Sequence, residues 1–384
     1  MSFISQKSEK VPRSMIREMF AMQAGLDDVV SFALGEPDFT APQHVIDATV
    51  ASFQRGETHY TPNAGIPALR EAVSKSFQER GLDYQPSEIL IGAGAISLLC
   101  LACTAVLDIG DEVLLPDPGW ANYRGLVAQV GAVPVPIRVR EENGFMYHVD
   151  DLRAAITPRT KLILINSPSN PTGGVASAEN LREIAELVRE KNLYVITDEI
   201  YRELLWDGEA YTSIASFPDM KERTIIVDGF SKKYAMTGFR LAYSAAPEEV
   251  ISTMTKMVEN VLSSVNEGIQ WGGVAALTGS QEPVEEMKRQ YRRRRELIVE
   301  GLNAIDKITC VPPKGAFYAF ANISRTGLKS RDFAIRLLQE KHVVVVPGTG
   351  FGEGGEGFVR LSYATSEENI REGLKRMREF VESL

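Results

Sequence analysis

The sequence predicts an α/β fold with a mainly parallel sheet between helices, followed by a smaller α+β unit. Short runs rich in β-branched residues alternate with segments whose apolar residues recur at helical spacing, which is typical of β–α–β units. The strand runs are apolar on both faces, as a parallel sheet covered by helices on both sides requires. In chain order they are EILIGAG (88–94), DEVLLPDP (111–118), KLILINSPSNP (161–171), LYVITDEIY (193–201) and RTIIVDGFS (223–231).

The chain after about residue 280 has a different pattern. A long helix is predicted at residues 285–305, hairpin-like runs at 315–323 and 342–363, and a closing helix from 366. We therefore predict an N-terminal segment, 1–45, that belongs to the small domain, a large domain, 46–280, that contains the parallel sheet, and a small C-terminal domain, 281–384. The arginine run YRRRRE within the long helix is expected on a solvated or interface face.

Composition narrows the classes of function. The chain has 384 residues, of which 44% are hydrophobic and 24% charged, the mixture of a soluble globular protein. A formal net charge of −9 favours a small-molecule substrate over nucleic acid, because a negative field repels polyphosphate. Without an apparent secretory signal or membrane span, and with three unevenly placed cysteines, the sequence predicts a cytoplasmic protein that binds neither nucleic acid nor membrane.

Metal chemistry is not expected. Cys100 and Cys103 have CxxC spacing, but they lie on one face of the apolar segment ISLLCLACTAVL, and no second pair completes a metal-binding set. We expect them to be small core residues. The histidines fit no metal-ligand spacing and are assigned no role: His44, His59, His148 and His342.

Three polar side chains follow successive predicted strands: Asn170, Asp198 and Lys232. Ligands of parallel sheets collect beyond the carboxyl ends of the strands, so these side chains are expected at one rim. An amide, a carboxylate and an amine together suit pyridoxal phosphate, since the amine joins the cofactor aldehyde and the carboxylate keeps the pyridine nitrogen protonated. The sequence therefore predicts a pyridoxal phosphate site.

The segments NSPSNPTGG, TDEIY and GFSKKYAMTGFRLAY resemble, in order and spacing, the signature set of class I aminotransferases of fold type I. The resemblance, to the aspartate and aromatic aminotransferases of the Iγ type, extends from about residue 30 to the C-terminus. It implies pyridoxal 5′-phosphate as cofactor and transfer of an amino group from an L-amino acid of the aspartate, alanine or aromatic type. The acceptor would be a 2-oxo acid such as 2-oxoglutarate, and the enzyme a homodimer with shared active sites.

The resemblance also indicates which of the adjacent lysines, Lys232 or Lys233, binds the cofactor. In the family an arginine that binds the cofactor phosphate follows the cofactor lysine by eight residues, and counting back from Arg240 selects Lys232. The planar fork of Arg240 suits two phosphate oxygens, and Ser231 is expected to add a hydroxyl. Neighbouring side chains leave the backbone in different directions, so only one lysine reaches the cofactor.

Further cofactor contacts are implied one by one. The segment IGAGAIS resembles a phosphate cradle made of amides at a helix N-terminus, from Gly94, Ala95 and Ile96. Trp120 matches the aromatic side chain that stacks on the pyridine ring, and Tyr201 the phenol that hydrogen-bonds the ring oxygen. Tyr60 matches a residue that reaches the phosphate of the neighbouring subunit, which would require at least a dimer.

On the substrate side, Arg360 in GFVRLSY matches the arginine that pairs with the substrate α-carboxylate. A buried arginine needs either a structural carboxylate or a ligand, and we favour the ligand. Gly35 is expected to let the N-terminal segment approach the substrate closely. Trp120 and Asn170 complete the predicted substrate contacts, and the segment IREMFAMQAG (16–25) either lines the side-chain pocket or forms a packed helix.

The predicted catalytic residues are Lys232, Asp198 and Tyr201. Lys232 would remove the Cα proton and return it, which requires a pKa well below the ordinary value of about 10.4. Three alternatives stay open: a carbon–sulfur β-lyase, a non-catalytic regulator that binds the cofactor, and a nicotinamide enzyme. The regulator is remote, and nicotinamide binding is a weak alternative, because Gly92 and Gly94 begin a dinucleotide fingerprint whose third glycine position holds Ser97.

Overall fold

The strands of the computed structural model, which describes residues 3–4, 9, 11 and 14–384, reproduce the predicted order. All five strand runs of the sequence form strands, and further strands lie before, between and after them. In the described residues the strands are β1 (Val30–Ser31), β2 (Ile89–Gly92), β3 (Glu112–Asp117), β4 (Val133–Arg138), β5 (Thr160–Asn166), β6 (Tyr194–Asp198), β7 (Thr224–Gly229), β8 (Ala242–Ala245), β9 (Tyr318–Asn322), β10 (Val343–Val344), β11 (Val346–Pro347) and β12 (Phe358–Ser362).

A seven-stranded sheet has the order β2–β8–β7–β6–β5–β3–β4. The pairs β3–β4, β3–β5, β5–β6 and β6–β7 are parallel, and β8 runs antiparallel to both of its neighbours, β2 and β7. The mainly parallel α/β fold predicted from the sequence is therefore confirmed. Strand β4 escaped prediction because Pro134 and Pro136 interrupt its pattern. Prolines are tolerated there because β4 is an edge strand.

Helices lie between the strands and pack on the sheet. Those of the described residues are α1 (Met15–Met22), α2 (Gln43–Gln54), α3 (Pro67–Gln78), α4 (Ala95–Val106), α5 (Asn122–Gln129), α6 (Val149–Ala155), α7 (Ala178–Glu190), α8 (Glu248–Val261), α9 (Glu267–Thr278), α10 (Glu282–Asn303), α11 (Ser330–Lys341) and α12 (Glu367–Glu382). None of them has the length and apolar character that a bilayer crossing requires.

Helix α7 shows how the sequence directs this packing. The Ser177 hydroxyl accepts a hydrogen bond from the Asn180 amide at 3.1 Å and caps the helix N-terminus. Leu181, Ile184 and Val188, three or four residues apart, are buried on one face. Burial of each such side chain stabilises the fold by roughly 1.5–3 kcal/mol relative to exposure.

The C-terminal part contains a second, antiparallel sheet of order β11–β12–β9. Strand β1 pairs in parallel with β10, so Val30 lies opposite Val343 and the N-terminal segment joins the C-terminal part. The division of the chain at residues 45 and 280 stays a prediction.

The carboxyl ends of the central strands place the functional side chains. Asn166 ends β5 and Asp198 ends β6, and these two residues are direct register partners. Strand β7 ends at Gly229, two residues before Ser231. The rim that the sequence predicts is therefore present at the carboxyl ends of β5, β6 and β7.

Candidate active site

A cavity of about 490 Å³ lies at this rim. It is lined by the following residues that the sequence singled out: Gly35, Ala95, Ile96, Trp120, Asn170, Asp198, Tyr201, Ser231, Lys232, Arg240 and Arg360. Tyr60 is not among the lining residues, and its side chain is 87% exposed. A larger cleft, of about 680 Å³, is lined by Arg80, Arg202 and their neighbours and contains none of the predicted site residues.

The two adjacent lysines have different surroundings. Lys232 lines the cavity, and its Nζ donates a hydrogen bond to the Gly35 carbonyl oxygen at 2.6 Å. Lys233 lies outside the cavity and forms an ion pair with Glu203 at 3.4 Å. Burial lowers the pKa of Lys232 to about 8; nearby Glu36 opposes the shift, whereas Arg240 adds to it. Lys232 is therefore the lysine whose amine becomes neutral near physiological pH.

Asp198 is held by three hydrogen bonds. Tyr123 donates its hydroxyl to Oδ2 at 2.7 Å, the Ile200 amide donates to Oδ1 at 3.2 Å, and Asn166 Nδ2 donates to the Asp198 carbonyl oxygen at 3.1 Å. Burial raises the pKa of Asp198 to about 6, although the bonds from Tyr123 and Ile200 oppose this shift. The carboxylate is thus fixed in position and mostly ionised at pH 7.

Two phenols contact each other beside Lys232. The hydroxyls of Tyr201 and Tyr318 lie 2.7 Å apart, and Lys232 Nζ lies 5.9 Å from the centre of the Tyr201 ring. Burial raises the pKa of Tyr201 well above its ordinary value. Tyr201 therefore keeps its proton and can donate a hydrogen bond.

Gly94 and Arg240 form a concave, positively polarised corner. Gly94 has a φ of +87° and precedes helix α4, whose first amides have no partner within the helix. The positive φ favours glycine, and a Cβ built on Gly94 would lie 2.3 Å from Nη2 of Arg240, so a larger residue would displace the Arg240 side chain. Arg240 Nη1 donates to the Thr237 carbonyl oxygen at 2.8 Å, and no carboxylate of the described residues pairs with it. This corner suits a phosphate group.

Arg360 is buried, with 1% of its surface exposed, and it pairs with no carboxylate of the described chain. Its Nη1 donates to Asn170 Oδ1 at 3.2 Å and its Nη2 donates to the Ala33 carbonyl oxygen, whereas its Nε has no partner. An unpaired buried charge is costly. The structure therefore leaves Arg360 ready to accept an anionic ligand.

Sequence reasoning missed several residues that complete the cavity. Tyr123 holds Asp198, Tyr318 holds Tyr201, and Asn166 Oδ1 accepts a hydrogen bond from the Asn170 amide at 2.9 Å. Tyr123 lies three residues after Trp120, at helical spacing, so the sequence could have indicated that the two side chains face the same cavity. Other lining residues that sequence reasoning did not name are Leu34, Glu36, Ile200 and Thr237. Ile16 and Arg17 belong to the segment 16–25, which was expected either to line the pocket or to form a helix, and they both lie in helix α1 and line the cavity.

Nearly the whole chain is similar to known proteins. A model of the family described as aminotransferase class I and II matches residues 27–377. The chain belongs to this aminotransferase family. The resemblance seen in its sequence is thus confirmed, and its activity is amino-acid transamination.

Three relatives illustrate the extent of the similarity. The aminotransferase is 41% identical to an aspartate aminotransferase of Pyrococcus horikoshii over 384 residues, 99% of this chain and 97% of that one. It is 41% identical to aromatic-amino-acid aminotransferase 2 of Thermococcus litoralis over 378 residues, 97% of each chain. The structure of a Thermus thermophilus aspartate aminotransferase with maleate superimposes with a TM-score of 0.94, at 39% identity and with 100% of both chains covered.

Proposed function

We propose that this aminotransferase binds pyridoxal 5′-phosphate covalently at Lys232. The observation that carries the proposal is the cavity itself, in which the Lys232 amine lies with Asp198 and two arginines that lack carboxylate partners. The helix N-terminus at Gly94 with Arg240 would hold the phosphate, joined by the Ser231 hydroxyl. Trp120 would pack against the ring, and the remaining contacts would come from Asn170 and Tyr201.

The cavity fits this cofactor in charge as well as in composition. Four basic and two acidic side chains line it: Arg17, Lys232, Arg240, Arg360, Glu36 and Asp198. Arg360 Nε is a buried donor without a partner, and Arg240 faces the glycine corner. A ligand with a phosphate at one end, together with a substrate carboxylate, would satisfy both guanidinium groups.

Each catalytic residue has a separate task. When bound, pyridoxal phosphate supplies an electron-poor ring that stabilises the negative charge left on the amino-acid Cα. Once the incoming amino acid has released the amine of Lys232 from the cofactor, its neutral Nζ would take the Cα proton and later return it as the acid. The Asp198 carboxylate would keep the ring nitrogen protonated, and the Tyr201 hydroxyl would donate a hydrogen bond to the ring oxygen.

The proposed substrates are an L-amino acid of the aspartate, alanine or aromatic type and a 2-oxo acid such as 2-oxoglutarate. Arg360 would bind the α-carboxylate while Gly35, Trp120 and Asn170 surround the amino acid. We further propose a cytoplasmic homodimer in which Tyr60, exposed in this chain, reaches the partner's site. The proposed domains are the large one at 46–280 and the small one formed by 1–45 with 281–384.

Reduction with borohydride tests the proposal. In the presence of pyridoxal phosphate, we expect one stable label, which peptide mapping places on Lys232. The matched control is Lys233→Ala, which should keep the full label because Lys233 pairs with Glu203 outside the cavity. A label on Lys233, or a colourless protein without any label, would contradict the proposal.

Replacing Arg360 should raise the KM for the amino-acid donor. For Arg360→Gln we expect kcat/KM to fall about 100-fold for all donors while the cofactor stays bound, because loss of one partner of a buried charge pair costs roughly 2–5 kcal/mol. Steady-state kinetics with several donors measures this. Arg295→Gln is a matched control, since Arg295 is also buried but pairs with Asp207 at 2.6 Å. An unchanged donor KM in Arg360→Gln would refute the assigned role.

A carbon–sulfur β-lyase would use the same proton transfer at Lys232. The relatives described above are aminotransferases, so they do not favour a lyase. Release of pyruvate and ammonia from a cystathionine-like thioether, without any 2-oxo acid acceptor, would identify the lyase.

A further inference from the structure

The larger cleft, of about 680 Å³, has no role in the proposed function. Helix α10 contributes one group of its lining residues, and the segment 202–216 contributes another. The cleft adjoins the catalytic part of the chain, because Tyr201 lines the active-site cavity whereas Arg202 and Glu203, the next two residues, line the cleft. No described residue lines both, so the cleft is a separate candidate site.

Basic side chains outnumber acidic ones in the lining of this cleft. Five cations face three carboxylates: Arg80, Arg202, Lys288, Arg289 and Arg292, against Glu203, Glu209 and Glu285. The whole chain carries a formal net charge of −9, so a cleft with an excess of cations differs from the average surface. The local potential therefore favours an anionic ligand.

Two of the three carboxylates are already paired with lysines from outside the lining. Glu203 forms an ion pair with Lys233 at 3.4 Å, and Glu209 forms one with Lys314 at 2.8 Å. Glu203 also pairs with Arg202, which is buried, so Arg202 is not counted among the ligand contacts. These pairs compensate the negative charge that would otherwise repel an anion from the cleft.

On helix α10, three cations lie three or four residues apart and line the cleft: Lys288, Arg289 and Arg292. Lys288 pairs with Glu285 at 3.0 Å, and Arg289 pairs with two acidic residues of the same helix. Such pairs at the protein surface are weak, so a ligand with several charges can displace them. Arg292 is exposed and has no ion pair or hydrogen bond with the described part of the chain.

Arg80 adds donors that are not satisfied. Its guanidinium carbon lies 4.3 Å from the centre of the Phe77 ring, and its Nη1 lies 3.5 Å from Glu199 Oε2. Nη1 and Nη2 are both buried, and neither has a hydrogen-bond partner among the described residues. An unsatisfied buried donor is costly, and a ligand oxygen would remove that cost.

We infer that this cleft binds a small molecule with two or more negative charges, either phosphorylated or polycarboxylic. The volume lies within the range of small-molecule sites and exceeds what a single inorganic ion would fill. Lys288 and Arg292 would bind the charged groups from helix α10, while Thr212 and Ser216 offer hydroxyls from the segment 202–216. The site is independent of the transamination reaction.

Calorimetric titration of the holoenzyme with pyrophosphate and, separately, with citrate tests the inference. We expect one site per chain for at least one probe, and the tighter of the two identifies a phosphorylated or a polycarboxylic ligand. The double variant Lys288→Gln/Arg292→Gln should weaken this binding about 10-fold or more, because it removes charge-assisted hydrogen bonds. Raising the salt concentration should also weaken it.

Two control variants define where the probe binds. Arg293→Gln alters the same arginine run on helix α10, but Arg293 does not line the cleft, so the affinity should stay unchanged. Arg360→Gln removes a cation of the active-site cavity and should also leave it unchanged. Absence of binding by both probes, equal weakening in Arg293→Gln, or loss of the site in Arg360→Gln would overturn the inference. Transamination is measured separately, so none of these outcomes refutes the proposed function.

Discussion

Replacing Lys232 by alanine is expected to lower kcat by a factor of about 10⁴ or more. The amine both joins the cofactor and transfers the Cα proton, and general acid–base catalysis alone contributes about 10² to 10⁴. Single-turnover measurements with excess donor would show the loss directly. Lys233→Ala should retain nearly all activity, because that side chain lies outside the cavity in its ion pair with Glu203.

The pH dependence provides a second measurement on Lys232. Only the neutral amine attacks an aldehyde, and burial lowers the pKa of Lys232 to about 8. The rate of cofactor attachment to cofactor-free protein should therefore rise with pH and level off above about 8. An ordinary lysine would produce a rise that continues to about 10.4. A continued rise to that pH, or normal turnover by Lys232→Ala, would exclude the proposed role.

Asp198→Ala is expected to lower kcat about 1000-fold while weakening cofactor binding about 10-fold or less. The carboxylate acts on charge that develops during the reaction, and loss of one such group costs about 10² to 10³ in kcat. The phosphate contacts at Gly94 and Arg240 remain and should keep the cofactor bound. Cofactor titration and steady-state kinetics, measured on the same preparation, compare the two losses.

Two related variants test whether the loss of kcat comes from the missing charge of Asp198. Asp198→Asn preserves size but not charge, so it should resemble Asp198→Ala in kcat. Tyr123→Phe removes only the 2.7 Å hydrogen bond to Oδ2, so its effect should be smaller. Equal loss of cofactor affinity and turnover in Asp198→Ala would contradict the role assigned to this carboxylate.

The sequence predicted the fold and the centre of the cavity because both follow from local patterns. Apolar runs with helices between them specify parallel strands, and parallel strands place their carboxyl ends at one rim. Asn170, Asp198 and Lys232 follow such strands directly, so their convergence could be anticipated. The distinction between Lys232 and Lys233 came from the resemblance, and the structure agrees in placing only Lys232 in the cavity.

Contacts between segments that are far apart in the chain could not be predicted from local sequence patterns. Tyr201 meets Tyr318 across 117 positions, and no local pattern links them. The run YRRRRE was expected on a solvated or interface face, and this was wrong for Arg294 and Arg295, which are buried within the chain itself. They pair with Asp38 and Asp207, acidic residues far away in the chain, which compensate for the loss of water.

The pairing of β1 with β10 has a consequence for synthesis of the protein. Val30 finds its partner, Val343, only after the long segment between them has been synthesised. Gly35 follows β1 closely, and Arg360 lies beyond β10, so the pocket that receives the amino acid cannot form before the chain has been synthesised past Arg360. The large central sheet can form earlier, because its last strand ends at Ala245. The amino-acid pocket therefore forms later than the central sheet that carries Asp198.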